Sequence, residues 1–171
     1  MKTLFVLRHA KSSRDSDTGK DFDRPLNDRG RNAAVVVGRE MRARKWLPDL
    51  VVASPAARVV ETLTGAEEGF GGALAPAYDQ RIYDASPATL LEVVRAADDK
   101  ADRLLLVGHN PGLQMLLLLI SEDDDRGLRA EIAGKFPTGA LAEIRLPIDH
   151  WRDTGEKAGR IQSLVRPRDS D

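Results

Sequence analysis

The sequence contains no cysteine. A disulfide framework, thiolate metal sites and nucleophilic cysteine chemistry are excluded together, and a reducing, cytoplasmic setting is expected. Aromatic residues make up only 5% of the chain, so the core has to be aliphatic. No sign of charge dominates: the formal net charge is −1, which gives no long-range field toward nucleic acid or an anionic membrane. Neither is expected as a partner, and any recognition of phosphate has to be local. Long apolar runs are also missing. Leu113 to Ile120 includes four consecutive leucines but falls well short of the roughly 20 residues that span a bilayer. The run Leu4 to Leu7 stops at Arg8 and is too short for a signal peptide. It reads as a buried strand.

What is present is an ordinary globular balance, with 42% apolar and 31% charged residues in a chain of 171. That length suits one domain over residues 1–171, with a charged tail after about residue 166 that is expected to fray. No repeat, low-complexity tract or Pro/Gly-rich linker divides it, and Glu67 to Gly72 reads as a short connection. The acidic run Glu122 to Asp125 lacks the spacing of cation ligands and reads as a solvated loop.

Three short apolar runs end in polar residues: Leu4 to Leu7 before Arg8-His9, Leu50 to Ala53 before Ser54, and Leu104 to Val107 before Gly108-His109. Each predicts a strand buried on both faces. Ser54-Pro55, Ser86-Pro87 and Asn110-Pro111 place a capping residue before a proline suited to the first helical position. Behind them Ala56, Val59, Val60, Leu63, then Leu90, Val93, Val94, Ala97, and Leu113, Leu116, Leu117, Ile120 recur at helical spacing. A further helix is predicted from Asp28 to about Arg44, capped by Asn27, with Ala34, Val37 and Met41 inward. Gly139 to Leu146 and Arg160 to Arg166 read as two more strands, with a polar loop from His150 to Gly159. Strands alternating with one-sided helices predict an α/β fold, a three-layer α/β/α sandwich on a mostly parallel sheet.

In such a sheet, ligands bind beyond the carboxyl ends of the strands. That rule selects Arg8 and His9, Ser54 with Arg58, and His109 with Asn110. An Arg-His dipeptide alone is as consistent with a hydrogen-bonded structural histidine. Two arginines and two histidines converging are costly to bury without an anion, and a phosphoryl group resolves the conflict. Neutral imidazole is a competent nucleophile near pH 7. His9 is therefore expected to attack phosphorus through one ring nitrogen while the other donates to an acceptor that fixes the tautomer. Arg8 and Arg58 are expected to hold the oxygens by forked bonds, with His109, protonated, as a third clamp.

These residues resemble the histidine phosphatase superfamily, which includes the phosphoglycerate mutases, and within it the SixA-type phosphohistidine phosphatases. Val6-Leu7-Arg8-His9-Ala10-Lys11-Ser12-Ser13 is similar to the family's opening motif. Asp23-Arg24-Pro25-Leu26 with Arg29-Gly30 is similar to the lead into its first helix. Ser54-Pro55-Ala56-Ala57-Arg58 with Glu61-Thr62 is similar to the second motif, and Val107-Gly108-His109-Asn110-Pro111-Gly112 to the third. The resemblance implies a phosphoglycerate mutase-like fold, His9 as nucleophile, Arg8, Arg58 and His109 as phosphate ligands and catalytic groups, and Ser12 and Arg24 as residues bordering phosphate or leaving group. It implies no metal and no cofactor.

One departure bears on substrate. Many family members acting on phosphate esters place a glutamate after the third strand to protonate the leaving oxygen, whereas the corresponding stretch here, Asp79 to Ala85, has only Asp79 and Asp84 as carboxylates. A phosphoramidate leaves as an imidazole that already carries a proton, so the expected substrate is a phosphohistidine protein. A small-molecule phosphomonoesterase and a non-catalytic phosphoprotein-binding module are the alternatives.

Overall fold

A computed structural model describes residues 1–167; the end of the charged tail, residues 168–171, lies outside the described residues. Six strands form one sheet: β1 (Lys2–Arg8), β2 (Leu50–Ala53), β3 (Ala77–Tyr78), β4 (Arg103–Gly108), β5 (Leu141–Leu146) and β6 (Arg160–Val165). Their order is β3-β2-β4-β1-β5-β6. The first four are mutually parallel, β5 joins β1 antiparallel, and β6 joins β5 antiparallel at the sheet edge. Central β1 thus has both edges paired, which suits its uninterrupted apolar sequence.

Side-chain alternation along the strands builds two cores. Leu4 and Val6 of β1, with Leu104 and Leu106 of β4, meet α3 (Pro87–Arg95), α4 (Gly112–Ile120) and α5 (Leu128–Gly134). Phe5 and Leu7, with Leu105 and Val107, face the other way, against α1 (Asp28–Ala43) and α2 (Ala57–Phe70). The fold is accordingly the α/β/α sandwich expected from the alternating pattern. On α1 and α2 the helices approach until backbone meets backbone: a Cβ on Gly38 would lie 1.9 Å from the Ala66 carbonyl oxygen, and one on Gly69 would lie 1.9 Å from that of Val35. Only glycine permits this spacing.

Several details differ from the sequence reading. Asn27 caps α1 as expected, its side chain accepting from Gly30 N, and Ser86 caps α3 with Pro87 in the first turn. Ser54 and Asn110 are not themselves the cap residues, since α2 starts after Ala56 and α4 after Pro111, although Asn110 Oδ1 accepts the Gln114 N–H in the first turn of α4 at 3.2 Å. The Ser54 hydroxyl turns to His109 instead, and the Asn110 amide donates to the Phe136 carbonyl. Glu67 to Gly72 is not a connection but the last turn of α2, closed by Gly71 in the left-handed region. Helix α5 has too few apolar residues for its period to stand out. It is organised by the acidic run before it, since Asp124 accepts the backbone N–H groups of Arg126, Leu128 and Arg129. The polar segment after β5 is pinned by a fully buried Trp151, which donates to the Ala101 carbonyl.

Candidate active site

The site lies where β1 and β4 end. Arg8 and His9 leave β1 in opposite directions because the strand alternation continues into them: Arg8 donates through Nη1 to the Phe136 carbonyl beyond α5, at 3.1 Å, while His9 turns toward α2. The His9 backbone is fixed on both sides, donating to the Gly108 carbonyl at 3.1 Å and accepting from Gly139 N at 2.9 Å. The next amide, Ala10 N, donates to Thr62 Oγ1 at 2.9 Å, and that hydroxyl donates to the Arg58 carbonyl at 2.6 Å. Thr62 therefore ties the β1 terminus to the turn of α2 that carries Arg58.

The His9 ring is oriented by its own neighbour. Nδ1 lies 2.7 Å from the Ala10 carbonyl oxygen, which can only accept. Nδ1 thus carries the proton, leaving the lone pair on Nε2. The His109 ring lies 5.3 Å away, centroid to centroid. Its Nε2 is 2.8 Å from Ser54 Oγ; the Ser54 hydroxyl also accepts the Ala56 N–H, and among the described residues its one hydrogen has no acceptor other than Nε2. That arrangement puts the His109 proton on Nδ1.

Burial dominates the electrostatics. His9 is 6% exposed and His109 7%. Burial lowers the His9 pKa to about 3, partly opposed by the bond to Ala10 and reinforced by the charges of His109, Arg58 and Arg8. Burial and then Arg58 lower that of His109 to about 4. Both rings are neutral at pH 7. In the unliganded site His109 is therefore neutral, with burial the first cause and Arg58 the second, whereas the protonated His109 expected from sequence is a clamp on a bound phosphoryl group. Arg8 is pushed down by burial and by Arg58, yet a guanidinium remains charged.

The forked grip expected of the arginines is also modified. Arg58 gives Nη1 to the Asp21 carbonyl at 2.9 Å and Nη2 to the Asp21 carboxylate at 3.1 Å. What it leaves without a partner is Nε. Among the described residues, the buried side-chain nitrogen and oxygen atoms lacking any hydrogen bond are Arg8 Nε, Arg58 Nε and His109 Nδ1. Each such donor costs about 1–3 kcal/mol when left unmade. All three belong to the residues that converge here.

Ser12 and Arg24 stand in an adjoining network. Arg24 donates through Nη1 to Ser12 Oγ at 3.2 Å and to the Ser13 carbonyl at 2.8 Å, and through Nε to Asp21 Oδ1 at 2.9 Å. They join the cluster through Asp21, and Arg24 is close enough for its charge to act on His109. Asp21 and Tyr83 carry no periodic signal in sequence. Asp21 accepts from the Tyr83 hydroxyl at 2.7 Å, and the Tyr83 ring packs edgewise on His109 at 5.5 Å. That bond from Tyr83, with Arg58 and Arg24 beside it, lowers the Asp21 pKa to about 2. The loop carrying Asp21 is closed at its neck, where Ser13 N donates to the Pro25 carbonyl and Asn27 N to that of Lys11, around a bridge of Ser12 with Leu26. Ser54 is visible in sequence as a polar residue at a strand end and Thr62 as a residue of the second motif inside α2, but their bonds depend on tertiary placement.

A histidine with a free Nε2 lone pair, ringed by unpartnered cationic and neutral donors, is equipped to accept and hold a tetrahedral oxyanion. Comparison with known proteins agrees. The family model described as the histidine phosphatase superfamily (branch 1) matches residues 4–90. The uncharacterised protein Rv1276c of Mycobacterium tuberculosis is 36% identical over 95% of this chain and 100% of its own. Among solved structures, a candidate phosphohistidine phosphatase SixA from Nakamurella multipartitia superposes with a TM-score of 0.83 at 28% identity, over 97% of this chain and 96% of that one. Its counterpart from Agrobacterium tumefaciens does so with a TM-score of 0.78 at 29% identity, over 97% and 98%. The fold and these neighbours support phosphatase chemistry, and the chain belongs to the histidine phosphatase superfamily, branch 1.

Proposed function

We propose that this chain is a phosphohistidine phosphatase that passes the phosphoryl group through His9, without a metal or other cofactor. The observation that carries the reading is the set of three buried donors without acceptors, Arg8 Nε, Arg58 Nε and His109 Nδ1. A phosphoryl group supplies the acceptors they lack.

In the first step the His9 Nε2 lone pair forms a bond to phosphorus as the bond to the leaving group breaks. The electron pair of that bond goes to the leaving nitrogen of an imidazole that carries its own proton. Arg8, Arg58 and the neutral His109 N–H hold the non-bridging oxygens, on which charge redistributes. In the second step water attacks phosphorus, the P–Nε2 bond breaks and its pair returns to His9, while the water proton passes to solvent. The Ala10 carbonyl keeps the same ring nitrogen presented throughout, and it stabilises the partial positive charge on His9 while the phosphoryl is attached.

The preference for a nitrogen leaving group follows from the carboxylates near the site. Asp21 is ionised down to about pH 2, so it has no proton to give. Asp79 is engaged by Arg81, which lowers its pKa. Glu61 is occupied by the Leu26 amide. Asp84 is exposed to solvent. An alkoxide would leave unassisted, whereas a protonated imidazole needs no acid.

Rapid-quench labelling with a phosphohistidine protein is expected to trap an acid-labile, base-stable phosphoenzyme in the wild type and none in His9→Ala, with turnover falling about 10⁴-fold or more. Equal turnover by both proteins overturns the mechanism. A large preference for sugar or aryl phosphates over the phosphohistidine protein leaves the covalent route intact and replaces the substrate with a small ester.

A further inference from the structure

Arg58 is held by the backbone and side chain of one residue, Asp21, whose carboxylate is itself 56% exposed while the Arg58 side chain is only 7% exposed. The carboxylate therefore stands between the buried clamp and solvent. On its outer side it lines, with Arg14, Asp15, Ser16, Gly19, Lys20 and Arg24, an open groove of about 440 Å³. A phosphoryl group that meets Arg58 does so on a guanidinium whose other nitrogens are already bonded to Asp21.

Charge balance gives the arrangement a purpose. Asp21 bonds two guanidinium groups, Arg58 and Arg24, and a third, Arg8, stands near enough for Arg58 to act on its charge; against the one carboxylate these three leave two positive charges. A phosphoryl dianion matches these two. Without Asp21 the network would have a third cation to offer, and Arg24 would be free to receive a second anionic group on the substrate. With Asp21 in place, a second anion meets a fixed negative charge that already occupies both Arg24 and Arg58. A positively charged leaving group meets an attractive one.

We propose that Asp21 sets leaving-group specificity, favouring substrates whose leaving group is cationic, such as a phosphorylated imidazole, and rejecting phosphate esters that carry a second anionic group. The proposal rests on the placement of the phosphoryl group at His9 and Arg58 argued above. Phe22 and Tyr83 support the carboxylate's position, their rings meeting edgewise at 5.0 Å while the Tyr83 hydroxyl donates to Asp21. Asp21 is thus a specificity and positioning residue, and the bond-making steps belong to His9.

The test compares kcat/KM for phosphoimidazole, phenyl phosphate and 4-carboxyphenyl phosphate in the wild type, Asp21→Asn and Tyr83→Phe. Asn keeps the size and an acceptor oxygen for Arg58 but removes the charge. In Asp21→Asn the ratio of phenyl to 4-carboxyphenyl phosphate is expected to fall roughly five- to tenfold, and the ratio of phosphoimidazole to phenyl phosphate to fall with it, with both effects shrinking at high salt. Tyr83→Phe, which retains the carboxylate but removes the hydroxyl that helps to position it, is expected to move the ratios in the same direction by a smaller amount. An equal loss for all three substrates in Asp21→Asn means that the residue only holds Arg58, and overturns the proposal; so do unchanged ratios. If the wild type does not cleave phosphoimidazole but Asp21→Asn still changes discrimination between the two aryl esters, charge selection by Asp21 stands and the phosphohistidine reading falls.

Discussion

Strand β1 carries a cation at each end, Lys2 buried and Arg8 half-buried, and the two are treated in opposite ways. At its start Lys2 is 2% exposed, and its ammonium donates to the Asp99 and Ala101 carbonyls and to the Asp102 carboxylate at 2.7, 3.0 and 3.0 Å, above the Trp151 ring. Every hydrogen of that group has an acceptor. At the other end Arg8 has one carbonyl partner and a buried Nε with none, and the next residue is a histidine held neutral. The first end uses its charge to close the fold, joining β1 to the chain that leads into β4. The second keeps hydrogen-bonding capacity in reserve. A buried charge with all its bonds made is a structural element; one with bonds missing is poised for a ligand.

The largest expected contrast comes from exchanging each cation for an apolar side chain. Arg8→Met is expected to lower kcat/KM about 100- to 1,000-fold, yet to leave chemical stability near that of the wild type, because it removes an unmade bond and Phe136 keeps its bond from Asn110. Lys2→Met is expected to do the reverse, with denaturant unfolding showing a loss of about 2–3 kcal/mol and kcat unchanged. Comparable stability losses in both variants would erase the distinction between the two ends.

A smaller effect separates them by pH. His9 and His109 have folded-state pKa values lowered to about 3 and about 4, against 6.5 in the unfolded chain. Between those limits the unfolded state binds protons that the folded state does not, so stability falls as pH drops from 6.5 toward 4. The expected slope is roughly 1.4 kcal/mol per pH unit for each histidine. Unfolding of His9→Gln and His109→Gln measured from pH 7 to pH 4.5 should each show a shallower slope. A parent slope near zero across this window would mean that the rings are not held neutral.

How much of this was legible in the sequence follows from what kind of signal each part leaves. The two-sided apolar runs of β1 and β4 and the spacing of Leu113, Leu116, Leu117 and Ile120 reflect continuous burial, and all four of these α4 residues are fully buried. Arg8, His9, Arg58 and His109 were legible because a parallel sheet converts strand ends into a common rim. Short elements were not: β3 pairs through two residues, both exposed, and α5 depends on Asp124 bonds rather than on an apolar stripe. Asp21 and Tyr83 were missed for a related reason, since they lie 62 positions apart in irregular segments whose meeting no local period records. The neutral state of His109 in the unliganded site leaves no sequence signal, because burial and neighbouring cations act on a pKa only once the fold has placed them.

The narrow neck of the loop between β1 and α1, where Ser12 pairs with Leu26, separates inheritance of chemistry from inheritance of preference. His9 is secured by Gly108, Gly139 and Thr62 on the far side of that neck, so a change within the span from Ser13 to Pro25 that keeps the acceptors of Asp21 for Arg58 remakes the mouth of the site while the nucleophile stays where it is.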